Sequence, residues 1–242
     1  MPLNGGRTRP VLILFDVDGT LISASGIGRR ALNLAATRLG LSGAPLRIDQ
    51  VAGNTDRRIL RALVASRGGG LSEERLMLRI YLNLMRLELR PGGSARVRTL
   101  AGVRRLLDQL AGERDVVLGL ATGNLQRVAQ LKLAAVGLWE RFACGGFGSD
   151  HEDRVDVVRC AIRRAQRRRP GIAASSTMVI GDTPRDVAAA RAAGVHAVAV
   201  ASGPYSRSIL AAANPDLLLS SLRSRARLLR LIRRLSRGGS VP

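Results

Sequence analysis

Val11-Leu12-Ile13-Leu14-Phe15-Asp16-Val17-Asp18-Gly19-Thr20 is the stretch that decides the fold. Five apolar residues bounded by turn formers read as a strand buried on both faces, the pattern of a parallel sheet. The acids arrive where that strand ends. Residues two apart in extended chain face the same way, so Asp16 and Asp18 leave it side by side. Carboxylates this close repel unless a cation neutralises them or one holds a proton. Asp and Gly are also ordinary turn formers, so the segment alone is compatible with a plain polar loop. A calcium loop of the EF-hand type is excluded: its twelfth position, counted from Asp16, is Ile27 where a bidentate Glu belongs.

Two further segments repeat the arrangement. Val116-Val117-Leu118-Gly119-Leu120 runs into Ala121-Thr122-Gly123-Asn124, and Thr177-Met178-Val179-Ile180 runs into Gly181-Asp182-Thr183-Pro184-Arg185-Asp186, each followed by a helical stretch. Thr122, Asp182 and Asp186 each have an ordinary local use as a helix cap or first-turn charge. Their coincidence at three strand ends is what points to a site, because open α/β sheets bind ligands outside the carboxyl ends of their strands. Helices are expected over 99–112, 124–136, 155–168 and 184–193, with strands near 142–145, at 195–200 and at 216–219. This alternation predicts an α/β fold: a Rossmann-like, mainly parallel sheet with helices on both faces. We find no internal repeat.

Between residues 22 and 94 the pattern turns helical, over roughly 26–40, 54–66 and 72–89, with Leu76, Ile80, Leu84 and Leu87 marking an apolar face. Ser23-Ala24-Ser25-Gly26 and Arg90-Pro91-Gly92-Gly93-Ser94 read as the two linkers of an inserted helical cap, a plausible hinge for a lid. The expected domains are a core of 1–21 and 95–220, a cap of 22–94 and a basic tail of 221–242, with 1–10 a loose leader. In the tail, Arg223, Arg227, Arg230 and Arg234 share one helical face and Leu222, Leu229 and Ile232 lie opposite, expected to pack on the core.

The 242 residues suffice for one domain plus an insertion, and 46% are hydrophobic but only 2% aromatic, so the core must be aliphatic. No apolar run approaches the ~20 residues of a membrane span. Cys144 and Cys160 are too few for a disulfide framework, which suggests a reduced, cytoplasmic setting. The formal charge is +21, and Lys132 is the only lysine among 39 basic residues. Such a skew towards Arg reads as a bias across the chain, not as one nucleic-acid patch.

The three segments, D-x-D-G-T, T-G-N and G-D-T-x-x-D followed by Val187-Ala188-Ala189-Ala190-Arg191-Ala192-Ala193-Gly194, resemble motifs I, II and IV of the haloacid dehalogenase superfamily. The resemblance runs from about residue 11 to about 219. It is strongest to phosphoglycolate-phosphatase-like members with a helical C1-type cap inserted after motif I. It implies phosphoryl transfer with Asp16 as nucleophile. Mg²⁺ would be held by Asp16, the Asp18 backbone carbonyl and Asp182, with Asp186 in support. Asp18 would act as acid and then base. Thr122, Gly123 and Asn124 would hold the phosphoryl oxygens. The family also uses a basic residue before the helix leading to motif IV, for which Arg154 is the candidate. Lys132, eight residues beyond Asn124 or roughly 12 Å along a helix, is judged too far. His151 is expected to be a loop residue.

Asp18 and Asp182 argue against the dehalogenase branch, and the absence of lysine in the cap against the phosphonatase branch. A sugar-phosphate mutase, or a non-catalytic nucleic-acid- or membrane-binding protein on the same scaffold, are the alternatives. Arg29, Arg30, Asn54, Thr55, Asp56 and Arg58 are cap residues near the linker or at a helix start, where they could face the site; the alternative for each is solvated helix surface. The expected partner is a small phosphorylated metabolite, carboxylated or a sugar phosphate. Nucleic acid is not required, and a monomer is the default.

Overall fold

A computed structural model describes residues 9–41, 43–93 and 96–239. Its strands are β1 (Val11–Phe15), β2 (Ile22–Ser23), β3 (Arg98–Thr99), β4 (Val116–Thr122), β5 (Cys144–Phe147), β6 (Thr177–Gly181), β7 (His196–Val200) and β8 (Leu217–Leu219). Six of them form one sheet in the order β5-β4-β1-β6-β7-β8, every pair parallel. The helices are α1 (Ile27–Arg38), α2 (Ile48–Val51), α3 (Asp56–Ala65), α4 (Leu71–Leu89), α5 (Val103–Ala111), α6 (Gln126–Ala134), α7 (Arg154–Arg168), α8 (Pro184–Ala192), α9 (Arg207–Ala212) and α10 (Ala226–Ser236).

The unbroken apolar run of β1 has a two-sided cause. Val11, Ile13 and Phe15 join a core shared with α5, α6 and α10, while Leu12 and Leu14 join a second core with α7, α8 and α9. A strand covered on both faces has no solvent side on which a polar residue would be favoured. The register then sets the height of the site. Phe15 lies opposite both Leu120 and Ile180, so Asp16 emerges level with Ala121 and Gly181, and Thr122 and Asp182 follow one residue on.

Between β2 and β3 the chain makes α1 to α4. β2 and β3 pair antiparallel, Ile22 with Thr99 and Ser23 with Arg98. The chain is therefore stapled together at Ile22–Ser23 and Arg98–Thr99, beside the expected linkers 23–26 and 90–94; Ser94 lies outside the described residues, as do leader residues 1–8 and tail residues 240–242. Helices α2 and α9 were not anticipated.

Two apolar faces differ from expectation. On α4 the buried residues are Met77, Tyr81, Leu84, Met85 and Leu89, while Leu76 and Leu87 are exposed. The helix carries apolar residues on most of its circumference, so periodicity alone cannot choose the face; packing on α1, α3 and α6 does. In the tail, α10 buries Leu228, Ile232 and Leu235, with Leu222 buried ahead of it and Leu229 only half-buried. The expected packing on the core holds, through a face rotated from the one read in the sequence.

Candidate active site

The carboxyl ends of β1, β4 and β6 and the underside of the insertion enclose a cleft of about 460 Å³. Asp16, Asp18, Thr122, Arg154 and Asp182 line its core side, and Arg29, Asn54 and Asp56 its insertion side. Of the other insertion residues singled out, Thr55 bonds to Glu152 O, Arg30 to Ser25 O, and the Arg58 side chain is exposed.

Asp16, Asp182 and Asp186 present oxygens that all lie within 4.8 Å of one another, and all three residues are buried. Arg154 enters among them from the start of α7, its Nη2 2.9 Å from Asp16 Oδ1 and 2.5 Å from Asp186 Oδ1. Asp153 caps that helix start, accepting from Val155 N, and so aims the following residue at the acids. Asp186 and Thr183 cap the start of α8 reciprocally: Asp186 Oδ2 accepts from Thr183 N and Oγ1 at 3.0 and 2.7 Å, and Thr183 Oγ1 accepts from Asp186 N. Thr20, the last residue of the D-x-D-G-T segment, donates through Oγ1 to Asp182 Oδ1 at 2.9 Å. Gly19 itself is at φ +78, and a Cβ there would fall 2.2 Å from Asp182 Oδ2, so only glycine admits this approach of strand end to strand end.

Burial pushes Asp16 up to about 6, against the pull of Arg154 in the other direction. Burial, then the neighbouring charges of Asp16 and Asp186, push Asp182 well above the carboxylate range. Burial opposes the charge on Arg154, but Asp16 and Asp186 outweigh it and hold the guanidinium more firmly protonated than usual. Asp16 and Asp186 thus share one guanidinium, and Asp182 lies beside them. An all-oxygen cluster of three acids around one guanidinium keeps an excess of negative charge, which fits a hard divalent cation.

A second cluster lies beside the first. Asp18 Oδ2 accepts from Lys132 Nζ at 2.6 Å and from Asn124 Nδ2 at 2.7 Å, and Asn124 Oδ1 accepts from Lys132 Nζ at 2.7 Å. The sequence reading placed Lys132 beyond reach, and this is corrected. Asn124 and Leu125 precede α6, so fewer residues of helix separate the lysine from the site than were counted, and a helical side chain leans towards the helix N-terminus. Thr122 Oγ1 accepts from Asn124 N and Nδ2, and among the described residues nothing takes its own proton. Gly123 carries the insertion directly: its carbonyl accepts from Asp56 N at 2.7 Å, and a Cβ there would meet Asn54 O at 2.1 Å. His151 is half-buried in the loop before α7.

A family model described as haloacid dehalogenase-like hydrolase matches residues 13–200. The chain belongs to that family. As a haloacid dehalogenase-like hydrolase it is 28% identical over 194 residues, 80% of this chain and 84% of the relative, to a phosphoglycolate phosphatase of Xanthomonas campestris pv. campestris. It is 30% identical over 217 residues, 86% of this chain and 92% of the relative, to a phosphoglycolate phosphatase of Synechococcus elongatus. Its fold matches the crystal structure of a hydrolase from Pseudomonas syringae with a TM-score of 0.72 at 22% identity, over 93% of this chain and 99% of the other. The chain is an enzyme, a phosphoric monoester hydrolase. No helix among the described residues is long and apolar enough to cross a membrane.

Proposed function

We propose that the protein hydrolyses a small phosphomonoester, carboxylated or sugar-based, by way of an aspartyl-phosphate on Asp16, in the cytoplasm. One observation carries the reading. Two acids from the same strand end face one cleft with different surroundings: Asp16 is buried among acids around Arg154, and Asp18 is 42% exposed to the cleft and held by Lys132.

The residues divide the work as follows. Asp16 attacks phosphorus while the bond to the leaving oxygen breaks, and Asp18 gives that oxygen its proton. Water then attacks the same phosphorus, passes a proton to Asp18, and the Asp16–phosphate bond breaks to release inorganic phosphate. Arg154 offsets the negative charge gathered on Asp16 and the phosphoryl oxygens. The Thr122 hydroxyl donates to one of those oxygens from a fixed position, which costs little reorganisation during reaction. Asp16, Asp182 and Asp186, with the Asp18 backbone carbonyl, would hold Mg²⁺. When bound, the ion supplies charge neutralisation and a template for the phosphoryl oxygens.

The insertion of residues 22–94 serves as a cap. Its contacts with the core are apolar where α4 packs on α6 and polar elsewhere, such as Arg185 Nη1 to Ala52 O at 2.8 Å and Arg61 to Glu152. Arg29 and Asn54 on its underside are placed to read the alcohol portion of the substrate.

The test is turnover of p-nitrophenyl phosphate by wild type and Asp16→Asn, with and without Mg²⁺. Wild-type activity should require the metal, and the variant should lose roughly four orders of magnitude or more, as nucleophile deletions do. Activity retained by Asp16→Asn, with contamination excluded, sinks the mechanism.

A further inference from the structure

The mechanism above leaves one buried charge without a task. Lys132 is 3% exposed, and it is the only lysine in a chain that uses arginine at its 38 other basic positions. A compact ammonium differs from a guanidinium in presenting three donors from a single point. Here two of its contacts are fixed at 2.6 Å to Asp18 Oδ2 and 2.7 Å to Asn124 Oδ1. Asn124 in turn donates to the same Asp18 oxygen, so Asp18, Asn124 and Lys132 close a triangle of hydrogen bonds. A half-exposed carboxylate on a turn ordinarily samples several rotamers. This one is held through one oxygen, Oδ2, which leaves Oδ1 as the oxygen available to the substrate.

The insertion roofs this arrangement. Asp56 at the start of α3 accepts from Leu125 N at 2.9 Å and from Tyr81 Oη at 3.2 Å, while its own N–H donates to Gly123 O. It therefore grips the Thr122–Leu125 loop from both sides and sets a buried carboxylate in the electrostatic field of Lys132. Helix α1 closes the remaining side: a Cβ on Gly28 would lie 3.5 Å from Tyr81 Oη and 3.8 Å from Lys132 Nζ. Helices α1, α3 and α4 of the insertion and α6 of the core thus converge on one ammonium group.

We infer that Lys132 is a positioning residue: through Asp18 Oδ2 and Asn124 it orients the acid that protonates the leaving oxygen, and the docked insertion, through Asp56, holds it there. The inference rests on the proposed role of Asp18 as that acid.

The experiment compares kcat/KM for two esters, phenyl phosphate and p-nitrophenyl phosphate, in Lys132→Met, Asp18→Asn and the double variant. kcat/KM reports the steps up to departure of the leaving group. Phenolate is a poor leaving group and needs the proton, whereas p-nitrophenolate departs as a stabilised anion. Lys132→Met should lose about 100-fold or more on phenyl phosphate, the scale of general-acid catalysis, and no more than about ten-fold on p-nitrophenyl phosphate. The double variant should be no worse than Asp18→Asn alone, because the lysine acts through the aspartate. Equal losses on both esters, or losses that multiply in the double variant, overturn the inference. If Lys132→Met does not fold, Lys132→Met/Asp56→Asn removes both charges together, and the same split between esters is required of it. Failure of the underlying reading is separable: it shows as activity surviving in Asp16→Asn, whereas failure of this inference leaves Asp16→Asn inactive and removes only the split.

Discussion

Two groups of ionic side chains flank the end of β1, and their charge balance differs. On one side Asp16, Asp182 and Asp186 surround the single guanidinium of Arg154. On the other, Asp18 and Asp56 face the single ammonium of Lys132. The first group has an excess of acid that its own residues do not neutralise, so it calls for a cation or for protons. The second is nearer to balance and has spent its polar atoms on one another. The first is assembled wholly from core strand ends and helix starts; the second takes Asp56 and its Tyr81 partner from the insertion. On the proposed reading neighbouring sites obey different rules: one would respond to metal, the other to docking of the insertion.

The strongest way to break this contrast is Arg154→Met. Removing the one cation from a buried acid cluster should cost about 3–5 kcal/mol in EDTA, read by urea denaturation at neutral pH, together with about 10²–10³-fold in kcat. A loss below about 1 kcal/mol would mean that the acids are not charged together in the folded state.

Asp56→Asn tests the second group through pH. Burial, opposed by Lys132, raises Asp56 from 3.8 to about 6. Folding thus favours its protonated form: that contribution is complete below pH 3.8 and is lost as pH rises through about 6. Two units correspond to about 3 kcal/mol. The variant, neutral throughout, should lose less stability than wild type between pH 4 and 7 by an amount approaching that figure. Parallel stability curves for the two proteins would show that Asp56 is not the buried carboxylate described.

The smallest effect separates the groups most cleanly. At ten times its dissociation constant, Mg²⁺ should stabilise wild type by ~1.4 kcal/mol. Asp182→Asn should be at least as stable as wild type in EDTA, because that acid is already driven towards its neutral form by burial and by Asp16 and Asp186, and should gain nothing from the ion. Lys132→Met should keep the gain. Thermal melting with and without Mg²⁺ decides it; equal gains in wild type and Asp182→Asn would move the cation elsewhere.

Several parts of this were open to reading in the sequence because they depend on local rules. The apolar run of β1 followed by Asp16 and Asp18 is a matter of strand period and termination, and the strand ends at Thr122 and Asp182 follow the same grammar. Arg154 was approachable because a helix start is a recognisable place. Lys132 was misjudged when distance was counted along a helix axis and the reach and tilt of a long side chain were left out. The buried face of α4 was misread for a different reason: Leu76, Ile80 and Leu87 are as apolar as Met77, Tyr81 and Met85, and only the neighbouring helices distinguish the two stripes.

By itself, then, the sequence determined the order of the six sheet strands and the longer helices, the three strand ends that carry the acids and the hydroxyl, and the family of chemistry they serve. These are consequences of periodicity and of short-range turn chemistry, which a linear string records. The tertiary structure decided which acids share Arg154, that Lys132 reaches Asp18, and that Asp56 and Tyr81 of the insertion close over it. Those contacts join residues 25 to 138 positions apart, and they depend on strand register, helix orientation and side-chain reach, which no local pattern encodes.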